Sequence, residues 1–255
     1  MNERIPALKQ AELPAKGKKR GRKLLAIVIA LLAIILVFLF FRSSLAKIQV
    51  INVEGASYLT AEEVKAALAV NVGDSFFVPS SGKLETRVRS LKPVKEASIV
   101  KHFPGKLTVK LQEFEEVATE LGADGKVQAV LANGLVLPSK QGALPDKPIL
   151  TGWKTGDANF QALCQTLSQL PDHLLTDLSE IKPDPSKSYP DRIKLYTRSR
   201  FEVVTTVGKL SEKIIFLSDI VENREPGRIV LLEADTYFPY SAQNADQDGA
   251  DSANP

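Results

Sequence analysis

A single cysteine in 255 residues leaves no intramolecular disulfide to be made, so the fold must rest on hydrophobic burial alone. Cys164 lies in an apolar stretch of helical spacing and reads as a small buried hydrophobe. Histidine is nearly as scarce, with two in the chain. His102 abuts a Phe-Pro-Gly turn and His173 follows Pro171. Neither has a cysteine or second histidine nearby at metal-ligand spacing, so no metal site is expected. The chain lacks G-x-S-x-G, H-E-x-x-H, a Walker loop and G-x-G-x-x-G, which removes the common sequence routes to a hydrolase, a zinc protease or a nucleotide site. Glu62/Glu63 and Glu115/Glu116 are adjacent pairs, and neighbouring residues point apart on a helix or strand, so neither forms an acid–base dyad. The sole tryptophan, Trp153, follows Gly152 and reads as a packing residue. No catalytic residue and no cofactor is expected; the function should be binding.

Basic charge is also missing where it would suggest nucleic acid. The formal charge of +3 is the sum of +6 in residues 1–23, with eight Lys/Arg against two Glu, and −3 in the remainder. No basic stripe with interleaved aromatics follows, so neither nucleic acid nor a small-molecule substrate is expected.

What the chain does have is an uninterrupted apolar run, Leu24 to Phe41, in which fifteen of eighteen residues are Leu, Ile, Val or Phe. Insertion of such a run favours the bilayer by at most about 5–9 kcal/mol. As a helix it is about 27 Å long, close to the hydrocarbon thickness. Lys16, Lys18, Lys19, Arg20, Arg22 and Lys23 precede it, while only Arg42 and Lys47 closely follow. This asymmetry retains the N-terminus in the cytoplasm and exports the bulk. A cleaved signal peptide is the competing reading, with Ser44-Leu45-Ala46 as the cleavage site. The run exceeds an ordinary h-region, and Phe38, Phe40, Phe41 and Arg42 crowd that site, which favours an anchor.

Beyond a short juxtamembrane linker, 42–46, residues 47–116 read β-α-α-β-β. Lys47–Gly55 is a strand. Thr60 and Glu63 make a capping box flanked by Leu59 and Val64 at staple positions. Leu84, Val88 and Leu91 recur at helical spacing over Ser81–Leu91, leaving Lys83, Arg87 and Arg89 on a solvated face. Strands Val94–Lys101 and Lys106–Glu113 follow, joined by Phe103-Pro104-Gly105. Residues 117–240 read as a β-rich domain with two packing helices, Phe160–Leu170 and Leu210–Glu222. Its short strands include 117–121, 127–131, 135–138, 149–152, 178–181, 192–197 and 201–207, and the last is Ile229–Glu233. Residues 241–255 have little to bury and are expected to be disordered. The fold class is α+β: tail 1–23, membrane helix 24–41, two exported domains and the C-terminal tail.

Several stretches together resemble the DivIB/FtsQ family of bacterial division proteins, in its Gram-positive DivIB branch. They are Ile48–Gly55, Phe103–Leu111, Pro148–Gly152, Leu178–Ile181, Tyr189–Thr197 and Tyr237-Phe238-Pro239-Tyr240. The β-α-α-β-β module resembles that family's POTRA domain. One departure is Glu113-Phe114-Glu115-Glu116, where the family often has Arg and Pro. The resemblance implies a bitopic scaffold at the division septum. Its partners would be DivIC-like and FtsL-like single-span proteins and, indirectly, the septal peptidoglycan synthase. It also implies docking of the DivIC-like partner along the last strand. A terminal strand with vacant backbone groups suits β-augmentation. The expected docking residues are therefore Ile229, Val230, Leu231, Leu232 and Glu233, with Tyr237, Phe238 and Tyr240 beside them. The alternative is a membrane-anchored, POTRA-containing secretion or envelope-assembly factor.

Overall fold

The computed structural model describes residues 18–122, 125–139, 147–154 and 156–241. Apart from Ser241, the expected disordered tail lies outside the described residues. So do most of the cytoplasmic tail and most of the 142–148 loop.

Helix α1, Lys18–Arg42, contains the apolar run, and its Gly21–Arg42 portion is long and apolar enough to cross a membrane. From Leu24 to Leu39 its large apolar side chains are exposed, as for a helix that is apolar all round and faces lipid, and in its last turn Phe40 and Phe41 stand beside Phe77. A 3₁₀ turn, Ser44–Ala46, ends it.

Next come β1 (Val50–Glu54), α2 (Ala61–Leu68), α3 (Ser81–Arg89), β2 (Val94–His102) and β3 (Lys106–Glu113). The sheet order is β1-β3-β2, with β1 and β3 parallel and β2 antiparallel to β3. The expected capping box forms: Glu63 N–H donates to Thr60 Oγ1 at 3.2 Å and Thr60 N–H to Glu63 Oε2 at 2.7 Å. Val64, Leu68, Leu84 and Val88 of the helices close on Leu107, Val109 and Leu111 of β3. Arg87 and Arg89 do more than face solvent. The Arg87 guanidinium donates to the Leu68 carbonyl at 2.6 Å, binding α3 to the end of α2, and Arg89 reaches the Ala97 carbonyl at 3.2 Å.

The remaining strands are β4 (Glu116–Leu121), β5 (Val127–Leu131), β6 (Val136–Pro138), β7 (Ile149–Leu150), β8 (Leu178–Pro183), β9 (Arg192–Thr197), β10 (Glu202–Thr206), β11 (Gly227–Leu231) and β12 (Asp235–Pro239). They make one mixed sheet in the order β12-β11-β10-β9-β8-β7-β4-β5-β6. Helices α4 (Ala158–Gln169), α5 (Asp172–Asp177) and α6 (Leu210–Asn223) contribute Phe160, Leu163, Leu167, Leu175, Ile214 and Leu217 to the core beside it. Cys164 is in that core, and burial pushes its thiol up to about 12. The short α5 went unread because six residues show too little of a 3.6-residue period. Helix α6 is the crossover that lets β10 and β11 run parallel.

The two sheets meet around Glu113, Glu116 and Asn133. The Glu113 carboxylate accepts from the backbone N–H groups of Ser57, Tyr58 and Leu59 at 3.1, 2.7 and 2.9 Å. Tyr58 Oη donates to Glu116 at 2.5 Å. Burial, then the Glu116 hydrogen bond and the nearby carboxylates, drives the Tyr58 hydroxyl well above its ordinary pKa. On the other side, Asn133 Nδ2 donates to the Lys92 carbonyl at 2.9 Å. These acids hold a structural joint.

Candidate functional site

The structure corrects the expected docking strand. Ile229, Val230 and Leu231 belong to β11, which pairs with β10 on one flank and β12 on the other. Ile229 is fully buried, and no vacant backbone edge exists there. Leu232 and Glu233 lie in the turn between β11 and β12. The sheet ends one strand later, at β12, so of the expected residues only Tyr237, Phe238 and Tyr240 stand at its edge. Asp235-Thr236-Tyr237-Phe238-Pro239 carries charge, a hydroxyl and proline, and this polar composition disguises edge strands in a sequence. The available signal was the alternation of Thr236, Phe238 and Tyr240 against Tyr237.

Register defines what this edge offers. Tyr240 N–H donates to the Pro226 carbonyl at 3.2 Å, and Arg228 faces Phe238 while Val230 faces Thr236. Antiparallel alternation then turns the backbone of Thr236 and Phe238 toward β11, and that of Asp235, Tyr237 and Pro239 outward. The outer edge presents the N–H groups of Asp235 and Tyr237 and three carbonyls. Pro239 stands where its missing N–H costs the β11 ladder nothing. Among the described residues, no side chain or further strand satisfies these outward N–H groups.

The side chains divide between the two faces. Tyr237 packs on the core, its hydroxyl donates to the Glu225 carbonyl at 2.7 Å, and the Arg224 guanidinium lies 5.5 Å from its ring centroid. Phe238 is on the opposite face and 49% exposed. Burial first, then the charge of Glu202, raises the Tyr240 hydroxyl. A charged ladder continues inward on this face, with Arg228 and Lys194 at 3.5 and 3.1 Å from Glu202.

Two devices fix the position of β12. Gly227 lies so close to it that a Cβ would sit 2.4 Å from the Phe238 carbonyl oxygen and 2.9 Å from the Tyr237 ring. At the turn, Lys209 Nζ bonds the Leu232 carbonyl at 3.2 Å and Glu233 at 2.7 Å, while Lys213 pairs with Asp235 at 2.8 Å. The Lys209 hydrogen bond holds the Glu233 carboxyl below its ordinary range, and Glu233 raises Lys209 in return.

Other places offer less. The far end of the large sheet is β6, with three residues. His102 and His173 are exposed, and no three potential His, Cys, Asp or Glu ligands converge among the described residues.

Comparison with known proteins identifies the smaller unit and the family. The small sheet and its two helices are a POTRA domain: residues 46–114 match the model of the FtsQ-type POTRA domain. The cell division protein DivIB of Paenibacillus polymyxa is 38% identical over 247 residues, covering 96% of each chain. That of Bacillus anthracis is 31% identical over 91% of this chain and 87% of its own, and that of Bacillus subtilis 27% over 96% and 92%. The solved major extracytoplasmic domain of DivIB from Geobacillus stearothermophilus is 30% identical, with a TM-score of 0.37, over 43% of this chain and 92% of that one. The chain belongs to the DivIB family of cell-division proteins. In that family, its one N-terminal apolar helix fits a single-pass membrane protein with an extracytoplasmic domain.

Proposed function

We propose that this protein is a bitopic scaffold of the bacterial division machinery, in which β12 captures an extended segment of a DivIC-like partner by β-augmentation. The basic tail 1–23 stays in the cytoplasm, α1 tethers the chain, and the domains at 47–116 and 117–240 work outside the membrane at the septum. An FtsL-like protein and the septal peptidoglycan synthase join through the same assembly. The relatives are named as division proteins rather than for a reaction, which supports a non-enzymatic role.

The open edge of β12 carries this reading. Five outward backbone groups at about 1 kcal/mol net per hydrogen bond contribute about 5 kcal/mol. That does not clearly exceed the roughly 4–15 kcal/mol cost of immobilising a partner. Side chains must therefore add to the backbone ladder, and exposed Phe238 with Tyr240 beside it are placed to do so.

The test measures binding of the extracytoplasmic segment of a DivIC-like protein to the full chain in detergent. F238D together with Y240D should weaken binding at least about tenfold, or 1.4 kcal/mol, without lowering the unfolding midpoint. Unchanged affinity in the folded variant rejects the edge. In cells, depletion should give filaments without septa, and the double variant should fail to rescue division.

A further inference from the structure

Two loop tips of the POTRA domain carry large apolar side chains into solvent at the point where the chain leaves α1. One tip is the segment 71–78, with Val72, Phe77 and Val78 exposed by 64, 46 and 81%; the other is the β2–β3 turn, with Phe103 exposed by 58%. Burial fails to explain them, because the POTRA core closes without them. Large apolar side chains exposed together on neighbouring tips mark a surface that meets something apolar.

Both tips are pinned to the juxtamembrane chain. Phe76 N–H donates to the Ala46 carbonyl at 2.9 Å, Ile48 N–H to Asp74 at 2.8 Å and Gly73 N–H to Ile48 at 2.8 Å. Gln49 N–H donates to Gly105 at 2.7 Å. At Gly105, φ is +72° and a Cβ would sit 2.5 Å from the Lys47 carbonyl oxygen, so the turn lies directly against the exit strand. The rings then run on from the helix: Phe77 is 6.0 Å from both Phe40 and Phe41, and Phe103 is 6.4 Å from Phe77. Exposed Lys47 and Lys106 flank these tips.

We infer that Val72, Phe77, Val78 and Phe103 dip into the outer interface of the lipid bilayer and seat the POTRA domain on the membrane. The occupant is lipid because the patch is continuous with the last turn of a helix whose surroundings are already lipid. Apolar groups at the headgroup boundary with cations beside them are the composition of interfacial anchors. The domain is thereby held against the membrane, with its orientation set by three points: α1, the 71–78 tip and the 103–105 turn. This inference rests on α1 spanning the bilayer.

The test uses the full chain in phosphatidylethanolamine–phosphatidylglycerol vesicles. Cys164 is fully buried, so a single added cysteine takes an environment-sensitive fluorophore. Labels are placed at V78C, V72C, at L32C within α1 and at V127C in the distal sheet, and quenched with aqueous iodide. Quenching at Val72 and Val78 should be several-fold weaker than at Val127, approaching Leu32. Protection at Leu32 with Val72 and Val78 quenched like Val127 overturns the seating but leaves the anchor intact. Quenching at Leu32 overturns the anchor and the seating with it. Protection at Val72 and Val78 that disappears on raising the lipid-to-protein ratio assigns the patch to a second copy and also overturns the proposal.

Discussion

The two sheets end in different ways. In the POTRA domain, the outer edge of β2 is occupied by side chains of α3. Ile99 N–H donates to Glu85 Oε1 at 3.0 Å, and the Ala97 carbonyl accepts from Arg89 at 3.2 Å. Donor and acceptor on that edge are satisfied two residues apart, which blunts it against another strand. In the large sheet, β12 has no such cover among the described residues, and the residues around it hold it in place without capping it. Its own backbone groups stay open while Gly227, Lys209 and Lys213 fix the strand from the inner side and the turn. One edge is closed and the other is held open. This difference, more than the presence of β-strands, marks where a partner strand would fit.

Core truncation in either sheet should have the largest effect and should separate the two. L107A in β3 and L195A in β9 each empty a fully buried site and should cost about 2–5 kcal/mol, read as a lowered denaturant midpoint. L195A should also impair binding of the DivIC-like segment, whereas L107A should leave it. Equal loss of binding in both variants, with L107A folded, would erase the distinction. G227A comes next: overpacking against Phe238 and Tyr237 should cost about 1–3 kcal/mol and shift β12, lowering affinity more than stability. E85A removes the acceptor at the β2 edge and should cost about 0.5–1.5 kcal/mol. Its diagnostic readout is faster amide exchange at Ile99, with concentration-dependent self-association through the uncovered edge.

The smallest expected effect is that of pH on the β11–β12 turn. The Glu233 pKa is depressed by Lys209, so its contribution is complete above the ordinary carboxylate value and is lost as pH falls through the folded-state value. The Lys209 pKa is raised by Glu233, so its contribution is complete below the ordinary lysine value and is lost as pH rises through the raised one. The turn should hold across neutral pH and loosen in acid, and amide exchange at 232–235 should report it. Glu233 is exposed and Lys209 only half-buried, so global stability should scarcely move.

Much of this fold was legible because its signals are local. Fifteen large apolar residues in eighteen, a complete capping box at Thr60/Glu63, and the alternation of Leu107, Val109 and Leu111 each specify an element without knowledge of the rest. The edge proposed for docking was less legible, since being an edge is a property of sheet order. Ile229–Leu231 is the more apolar segment, and for that reason it lies inside the sheet. The polar Asp235 and Thr236 and the proline at 239 accompany the strand left outside. Glu113 and Glu116 looked like departures from a motif until their acceptance of the Ser57–Leu59 amides and the Tyr58 hydroxyl gave them a role. That role depends on contacts more than fifty residues apart, which no local pattern encodes.

Residue-resolved amide exchange on the full chain, with and without the extracytoplasmic segment of a DivIC-like protein, addresses the central claim most directly. The N–H groups of Asp235 and Tyr237 should exchange quickly alone and become strongly protected on binding, while Ile99 stays unchanged. Binding that protects β6 or the POTRA strands and leaves Asp235 and Tyr237 exchanging as before would contradict the account.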